Sequence, residues 1–169
     1  MDAATKKRVI TCCEWGLADE LRGILANDSS SVAFVDPDDF NPLMTAIHNH
    51  HQGVVDLLLA RPDVHVAKTT NRFMSTPLHV AAYRRNLDAM NAILIACAPS
   101  ELHDVVNAVD VWNKTALHHA VYHCFDAGIE RILSTGVAET RARDRYGKRA
   151  IEYASNAHIA NLLPDEGSA

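Results

Sequence analysis

The chain has 169 residues, 48% of them hydrophobic and 22% charged, which suffices for one packed domain and argues against intrinsic disorder. Its net charge of −5 argues against general binding to the nucleic-acid backbone, which requires an excess of Lys and Arg. The sequence contains no run of about 18 apolar residues, as a membrane-spanning helix requires, and residues 1–8 are not followed by the apolar stretch of a signal peptide. We therefore expect a protein of the cytoplasm or nucleus without direct membrane insertion.

The four cysteines predict a reducing compartment. Cys12 and Cys13 are adjacent, Cys97 and Cys124 are isolated, and no pair has the CxxC spacing of a metal site. We interpret them as plain thiols that fill space in the core.

Five segments of the chain repeat one pattern. Equivalent positions are residues 8, 42, 77, 116 and 150, so successive copies lie 34, 35, 39 and 34 residues apart. In the central copies an Asn or Thr, suited to cap a helix, precedes a Pro or Ala and an apolar stripe at helical spacing. A second helix follows, for example over residues 52–60, and Arg61-Pro62 ends it. Because one helix pair cannot bury both faces alone, neighbouring pairs must stack.

The sequence of the third copy matches the signature of a known family. Residues 76–82 read Thr-Pro-Leu-His-Val-Ala-Ala and match the TPLHxA signature of ankyrin repeats, and residues 115–120 miss only the proline. Over about residues 5–163 the chain therefore resembles the ankyrin-repeat family. The resemblance implies an all-α solenoid of stacked helix-turn-helix units with β-hairpin fingers.

The predicted domain covers residues 1–163, and a polar tail follows at 164–169. The predicted copies are roughly 5–38, 39–73, 74–112, 113–146 and 147–163, of which the first and last are degenerate caps, as in a complete solenoid. The 39-residue step indicates an insertion at about 97–104, where we expect an extra helical turn that starts at Ser100.

The resemblance also implies a concave face, built from finger tips and the outer side of each first helix. Seven of the ten Phe, Trp and Tyr residues fall on it, which leaves Phe34, Phe125 and Tyr153 for the interior. Exposed apolar surface marks interaction sites, and Trp, Tyr and Arg dominate binding energy. Alternatively, some of these rings only stack on neighbouring fingers. The candidate partner-binding residues are Trp15, Phe40, His48, Arg72, Phe73, Tyr83, Arg84, Trp112, Lys114, Tyr122, His123, Arg145 and Tyr146.

Charge on this concave face is predicted to be uneven. The third to fifth copies contribute cations, whereas the first two contribute Glu14 and Asp38. The acidic residues of the second helices lie on the opposite side: Asp19, Glu20, Asp56, Asp88, Asp126 and Glu130. This pattern favours a protein partner with apolar anchors and acidic residues toward the C-terminal half. A solvated basic stripe without a partner is the alternative.

The ten histidines do not form a recognisable metal or catalytic motif. His79 and His118 belong to the repeat signature, in which the family uses the imidazole to tie turns together. His119 and His123 have the i, i+4 spacing of a zinc pair, but a third ligand is absent and no acidic residue is adjacent in sequence. No Gly-rich phosphate loop is present either. We therefore predict no cofactor, no metal and no enzymatic activity.

The predicted function is a monomeric, non-catalytic protein–protein interaction module: an adaptor, inhibitor or assembly factor. In length and repeat count the chain looks similar to the cyclin-dependent kinase inhibitors of the same family. The alternative is a permanent structural subunit of a cytoskeletal or membrane-associated complex.

Overall fold

The architecture was analysed in a computed structural model that describes residues 1–28, 32–36, 39–66 and 72–163. The predictions for Pro37, Asp38 and the 164–169 tail lie outside these ranges. The elements in chain order are α1 (Ala3–Trp15), α2 (Ala18–Asn27), α3 (Pro42–His48), α4 (Gln52–Leu59), α5 (Pro77–Arg84), α6 (Leu87–Ala96), α7 (Leu102–Asn107), α8 (Ala116–Tyr122), α9 (Asp126–Leu133), a 3₁₀ helix (Ala150–Tyr153) and α10 (Ala157–Leu162).

The helices form two layers. The inner layer consists of α1, α3, α5, α8 and the 3₁₀ helix, each packed against the next, and the outer layer consists of α2, α4, α6, α9 and α10. Between the layers runs a core of fully buried side chains, which includes Ile47, Leu78, Ile93, Leu117 and Ile129. The predicted all-α solenoid of helix pairs is therefore confirmed, while the residue boundaries of the five copies remain a prediction.

The starts of the inner helices follow from local sequence. Asn41 accepts the N–H of Met44 through its side-chain oxygen at 2.8 Å, and Pro42 occupies the first helical position, where a missing donor costs nothing. Thr76 and Pro77 play the same parts in α5. The predicted second helix at 52–60 is observed as Gln52–Leu59, with Ala60 at its C-cap.

Each of two buried histidines joins the threonine that caps its own helix to the following repeat. His79 contacts the Thr76 hydroxyl and the carbonyl of Lys114, and His118 repeats the arrangement one layer further along. The predicted structural role of His79 and His118 is confirmed. Cys12, Cys13 and Cys97 are buried in the core as predicted, whereas Cys124 is half-buried.

The fingers are tight turns stacked side by side. Asp110 donates its N–H to the carbonyl of Lys114 at 3.0 Å, and the N–H of Val111 donates to the carbonyl of Phe73 on the preceding finger at 3.0 Å. Arg145 N–H donates likewise to the carbonyl of Trp112 at 2.8 Å. In the described ranges the fingers contain an isolated bridge, Arg143 with Arg149, and no strands. Hydrogen bonds between consecutive fingers, rather than long hairpins, thus align the finger tips.

The insertion forms α7, but its start was predicted wrongly. Ser100 lies in the turn before the helix, and Glu101 occupies the N-cap position. The amide of Asn107 donates to the carbonyl of Val137 at 2.8 Å and accepts the N–H of Glu139 at 2.8 Å. The insertion is therefore fastened to the connection that follows α9. None of the helices in the described part of the chain is both long and apolar enough to cross a bilayer.

Candidate protein-binding face

Four of the predicted rings of the concave face are open to solvent. Trp15 is 72% exposed, Tyr83 50%, Tyr122 58% and Tyr146 67%. Trp15, Tyr83 and Tyr122 lie at the ends of the inner helices α1, α5 and α8, and Tyr146 lies on the last finger. Phe40, Phe73 and Trp112 are half-buried. Large exposed rings in a row are costly unless another molecule covers them.

Two of the half-buried rings support each other. Phe73 and Trp112, on consecutive fingers, stack with centroids 5.4 Å apart and an interplanar angle of 18°. The guanidinium of Arg72 lies 5.1 Å from the centre of the Phe73 ring. The alternative that some rings serve stacking therefore holds for this pair, although neither ring is fully covered.

The first half of the face contains an open groove of about 710 Å³. Its walls include Trp15, Phe40 and Phe73, and the Phe40 ring meets His48 edge-on at 5.7 Å. Burial lowers the pKa of His48, and the nearby Arg84 lowers it further. The groove brings together five of the predicted site residues, and its full lining is Glu14, Trp15, Asp36, Phe40, Thr45, His48, Asn49, Arg72 and Phe73.

The second half of the face carries a continuous row of rings. Tyr83 lies 4.7 Å from His123, His123 lies 5.1 Å from Tyr122, and Tyr122 lies 5.9 Å from Tyr153. Burial lowers the pKa of His123, and the nearby His119, Arg85 and Lys114 lower it further. The placement of Tyr153 in the interior was wrong: it is half-buried and joins this row, because the last inner element is a short 3₁₀ helix that ends at Tyr153.

Two lysines lie over the end of this row. Lys114 Nζ is 5.3 Å from the centre of the Tyr122 ring and 4.7 Å from that of Tyr153, and Lys148 Nζ is 5.2 Å from the centre of the Tyr153 ring. We call Lys114, Tyr122, Lys148 and Tyr153 the lysine–tyrosine cluster. The candidate binding residues derived from the repeat register include Lys114 and Tyr122 but not Lys148 or Tyr153.

An aspartate at the base of three fingers is bonded to a side chain nine residues later. Thr45 Oγ1 donates to Asp36 at 3.3 Å, His119 Nε2 to Asp110 at 2.9 Å, and the Tyr153 hydroxyl to Asp144. Each bond fixes a finger to the inner helix beside it. The constant nine-residue interval is a signal in the sequence that residue-by-residue reading missed.

His119 has no acidic neighbour in sequence, but the fold brings Asp110 to 2.9 Å from its Nε2 atom. Burial alone would raise the pKa of Asp110, but the hydrogen bonds from His119 and from the N–H groups of Lys114 and Trp112 hold it below its usual value. His119 is thereby used in a structural pair. In the part of the chain that the structure describes, no three His, Cys, Asp or Glu side chains are grouped as metal ligands.

In the described part of the chain, five cations of the concave face are not paired with carboxylates. Arg84 donates from Nε to the carbonyl of His48 at 2.9 Å. Among the described residues, the side chains of Arg72, Arg84, Lys114, Arg145 and Lys148 have no carboxylate within 4.0 Å. In contrast, the acidic residues predicted for the outer helices do lie in α2, α4, α6 and α9, where Asp19 and Glu20 pair with Arg22 and Arg8.

Stacked helix pairs whose fingers and inner helices share one face define a repeat protein of the solenoid class. The family model described as ankyrin repeats (3 copies) matches residues 3–104, and the chain belongs to the ankyrin-repeat family. The chain is also similar to NF-kappa-B inhibitor alpha of Mus musculus, with 27% identity over 126 residues that cover 74% of this chain and 39% of that protein. It thus spans about two fifths of the length of this relative. The family is generally non-catalytic, and membership together with this likeness supports a protein–protein interaction module.

Proposed function

We propose that this chain is a non-catalytic protein-binding module that holds a partner on its concave face, as an adaptor, inhibitor or assembly factor. The observation that carries the proposal is the combination, on one face, of four exposed rings with cations that have no carboxylate within 4.0 Å among the residues that the structure describes. Exposed aromatic side chains beside Arg and Lys are the residues that supply most of the energy in protein interfaces.

The chemistry of the face favours a segment with apolar anchors and acidic residues. The groove at Trp15 and Phe40 suits an apolar side chain, and the cations near Arg145 and Lys148 suit carboxylates. Complementary charge would accelerate association more than it would raise the final affinity. The likeness to a protein named as an inhibitor favours an inhibitory role. We expect the module to act as a monomer in the cytoplasm or nucleus.

Affinity capture tests the proposal with three baits: the wild type, the double variant Tyr83→Ala, Tyr146→Ala, and Ile95→Ala. Tyr83 and Tyr146 are exposed and neither belongs to the Phe73–Trp112 stack, so their loss leaves the fingers aligned. Ile95 is 79% exposed on the outer helix α6 and serves as the matched control. Central anchors cost about 2 kcal/mol or more each when truncated, or about 30-fold in affinity.

We expect the wild type and Ile95→Ala to capture the same proteins and the double variant to lose them. Identical capture by all three baits would contradict the proposal. A fixed stoichiometric complex that does not exchange would instead favour a permanent structural subunit.

A further inference from the structure

The lysine–tyrosine cluster holds two ammonium groups, and among the described residues neither has a carboxylate within 4.0 Å. The Nζ atoms of Lys114 and Lys148 both lie within 5.2 Å of the centre of the Tyr153 ring. Asp144, which accepts the N–H groups of Tyr146 and Lys148 and the hydroxyl of Tyr153, keeps its negative charge, so Lys114, Lys148 and Asp144 together carry one net positive charge. Two ammonium groups beside the same ring repel each other, so an external anion between them would be attracted strongly.

The groove has a different chemistry. Its aromatic walls are Trp15, Phe40 and Phe73, and its charged residues include both signs, with Glu14 at one end and Arg72 at the other. A lone anion therefore gains little here, whereas an apolar or aromatic side chain covers the rings. The two halves of the face select different parts of one ligand.

The order of the inner helices sets the distance between the two sites. The groove is centred on α3, and the cluster lies between α8 and the 3₁₀ helix, about two and a half helix spacings away. Packed helices lie about 8–10 Å apart, so the separation is about 20–25 Å. An extended chain advances about 3.3 Å per residue, so about 6–8 residues span it.

We infer that the partner segment is an extended acidic peptide in which an apolar anchor and a pair of carboxylates are separated by about 6–8 residues. The anchor enters the groove and the carboxylates bind the lysine–tyrosine cluster. This inference rests on the proposed function and adds the chemistry and spacing of the partner.

Fluorescence anisotropy with synthetic peptides tests it. Each peptide is acetylated, amidated and fluorescein-labelled, and carries one Trp and one Glu-Glu pair separated by about 2, 4, 7, 10 or 14 Ser and Gly residues, a range centred on the expected span. Both orders of Trp and Glu-Glu are made, and further peptides replace Glu-Glu by Gln-Gln, Lys-Lys or phosphoserine. The full chain is titrated as the wild type, Lys114→Gln with Lys148→Gln, Trp15→Ala, and Lys6→Gln with Lys7→Gln.

The control pair is closely matched. Lys6 and Lys7 lie in α1, and Lys6 Nζ also lies over a ring, 5.4 Å from the centre of Phe34. Lys6→Gln with Lys7→Gln therefore removes the same charge and the same kind of contact away from the cluster.

Among the Glu-Glu peptides, we expect the one with a spacer of about seven residues to bind most tightly. Its affinity should be at least about tenfold higher than that of the Gln-Gln peptide with the same spacer, because the Gln-Gln peptide loses two charge-assisted contacts. The difference in affinity between the Glu-Glu and Gln-Gln peptides should disappear in the double variant Lys114→Gln, Lys148→Gln. It should persist in the control variant Lys6→Gln, Lys7→Gln. Trp15→Ala should weaken binding of every Trp-containing peptide.

Several results would overturn the inference: affinity that does not depend on spacer length, equal losses in the two lysine double variants, or tighter binding of the Lys-Lys or phosphoserine peptide. A Lys-Lys peptide whose binding still required Trp15 would overturn the inference alone and leave the proposed function intact. Binding that ignored Trp15 and the cluster, together with unchanged capture by Tyr83→Ala, Tyr146→Ala, would overturn both.

Discussion

The Nε2 atom of His79 lies 2.9 Å from the carbonyl oxygen of Lys114. The other ring nitrogen accepts the N–H of Thr76 at 3.2 Å and lies 2.8 Å from the Thr76 hydroxyl. One buried imidazole therefore links the start of α5 to the finger that carries Lys114. Because Lys114 belongs to the lysine–tyrosine cluster, the imidazole of His79 both stabilises the stack of repeats and positions this part of the binding face.

Removing this imidazole should destabilise the whole domain. His79→Ala leaves a cavity and unpaired polar groups at Thr76 and Lys114, so we expect the free energy of unfolding to fall by about 2–4 kcal/mol. Urea denaturation measures the loss. His158→Ala is the control, since His158 is exposed and lies 3.1 Å from the carboxylate of Asp126, which is half open to solvent. Its effect should stay below about 0.5 kcal/mol, and equal losses in both variants would contradict this role of His79.

Stability should fall as the solution is acidified below pH 6.5. Burial, with a smaller effect of His119, lowers the pKa of His79 from 6.5 to about 4. The unfolded chain therefore takes up a proton that the folded chain refuses, so this stability is present above pH 6.5 and is lost as pH falls to about 4. Above pH 6.5 the lowered pKa of His79 contributes about 3 kcal/mol to the free energy of unfolding.

The test for this pH dependence compares urea denaturation at several pH values between 7 and 4.5 for the wild type and His79→Gln. The wild type should lose stability steeply, because burial also lowers the pKa of His118. The decline should be shallower in His79→Gln. Parallel curves would contradict the assignment.

The hydroxyl of Tyr153 should contribute more to the free energy of unfolding than the hydroxyl of Tyr146. Burial and the hydrogen bond to Asp144 raise the pKa of Tyr153 to about 12. Tyr153→Phe removes one donor from a buried carboxylate, which should lower the free energy of unfolding by about 1–2 kcal/mol. Tyr146→Phe removes an exposed hydroxyl and should change it by less than about 0.5 kcal/mol. Thermal denaturation of the two variants side by side would decide the point, and no difference between them would contradict it.

Two glycines in outer helices should respond in opposite directions to alanine. A Cβ at Gly23 in α2 meets nothing within 4 Å, so Gly23→Ala should stabilise the protein by about 0.5–1 kcal/mol through helix propensity. A Cβ at Gly128 in α9 would lie 2.2 Å from the Phe125 ring. Because Phe125 is buried, Gly128→Ala should destabilise by about 1–3 kcal/mol. Unfolding midpoints that shift the same way in both variants would contradict this packing.

The repeated features of the fold could be predicted from the sequence because similar short sequence patterns recur from copy to copy. Thr76-Pro77 and Asn41-Pro42 start helices for reasons contained in adjacent residues. The start of α7 was missed because Ser100 is a good cap residue, while the observed helix begins after Glu101, whose side chain makes no capping bond. Asn107, at the other end of α7, donates to the carbonyl of Val137, 30 residues away in sequence, and such a distant contact is not visible in local sequence.

The site was predicted less completely because contacts between fingers do not appear in residue spacing. Phe73 and Trp112 occupy equivalent positions on consecutive fingers, so the sequence allowed stacking as an alternative, but only the hydrogen bonds that align the fingers show which rings meet. Tyr153 was misplaced because a 3₁₀ helix replaces the last inner α-helix. The thirteen candidate binding residues remain a prediction, which the structure supports most directly through the exposure of Trp15 and Tyr146.

Site-specific photocrosslinking tests the central claim most directly. A benzoylphenylalanine at position 83, 146 or 95 reports which surface touches a partner in the cell, because the reactive group crosslinks only atoms within a few ångströms. We expect covalent adducts with another protein from positions 83 and 146, on the concave face, and none from position 95 on the outer helix. Adducts from position 95 alone would show that the partner binds elsewhere and would contradict this claim.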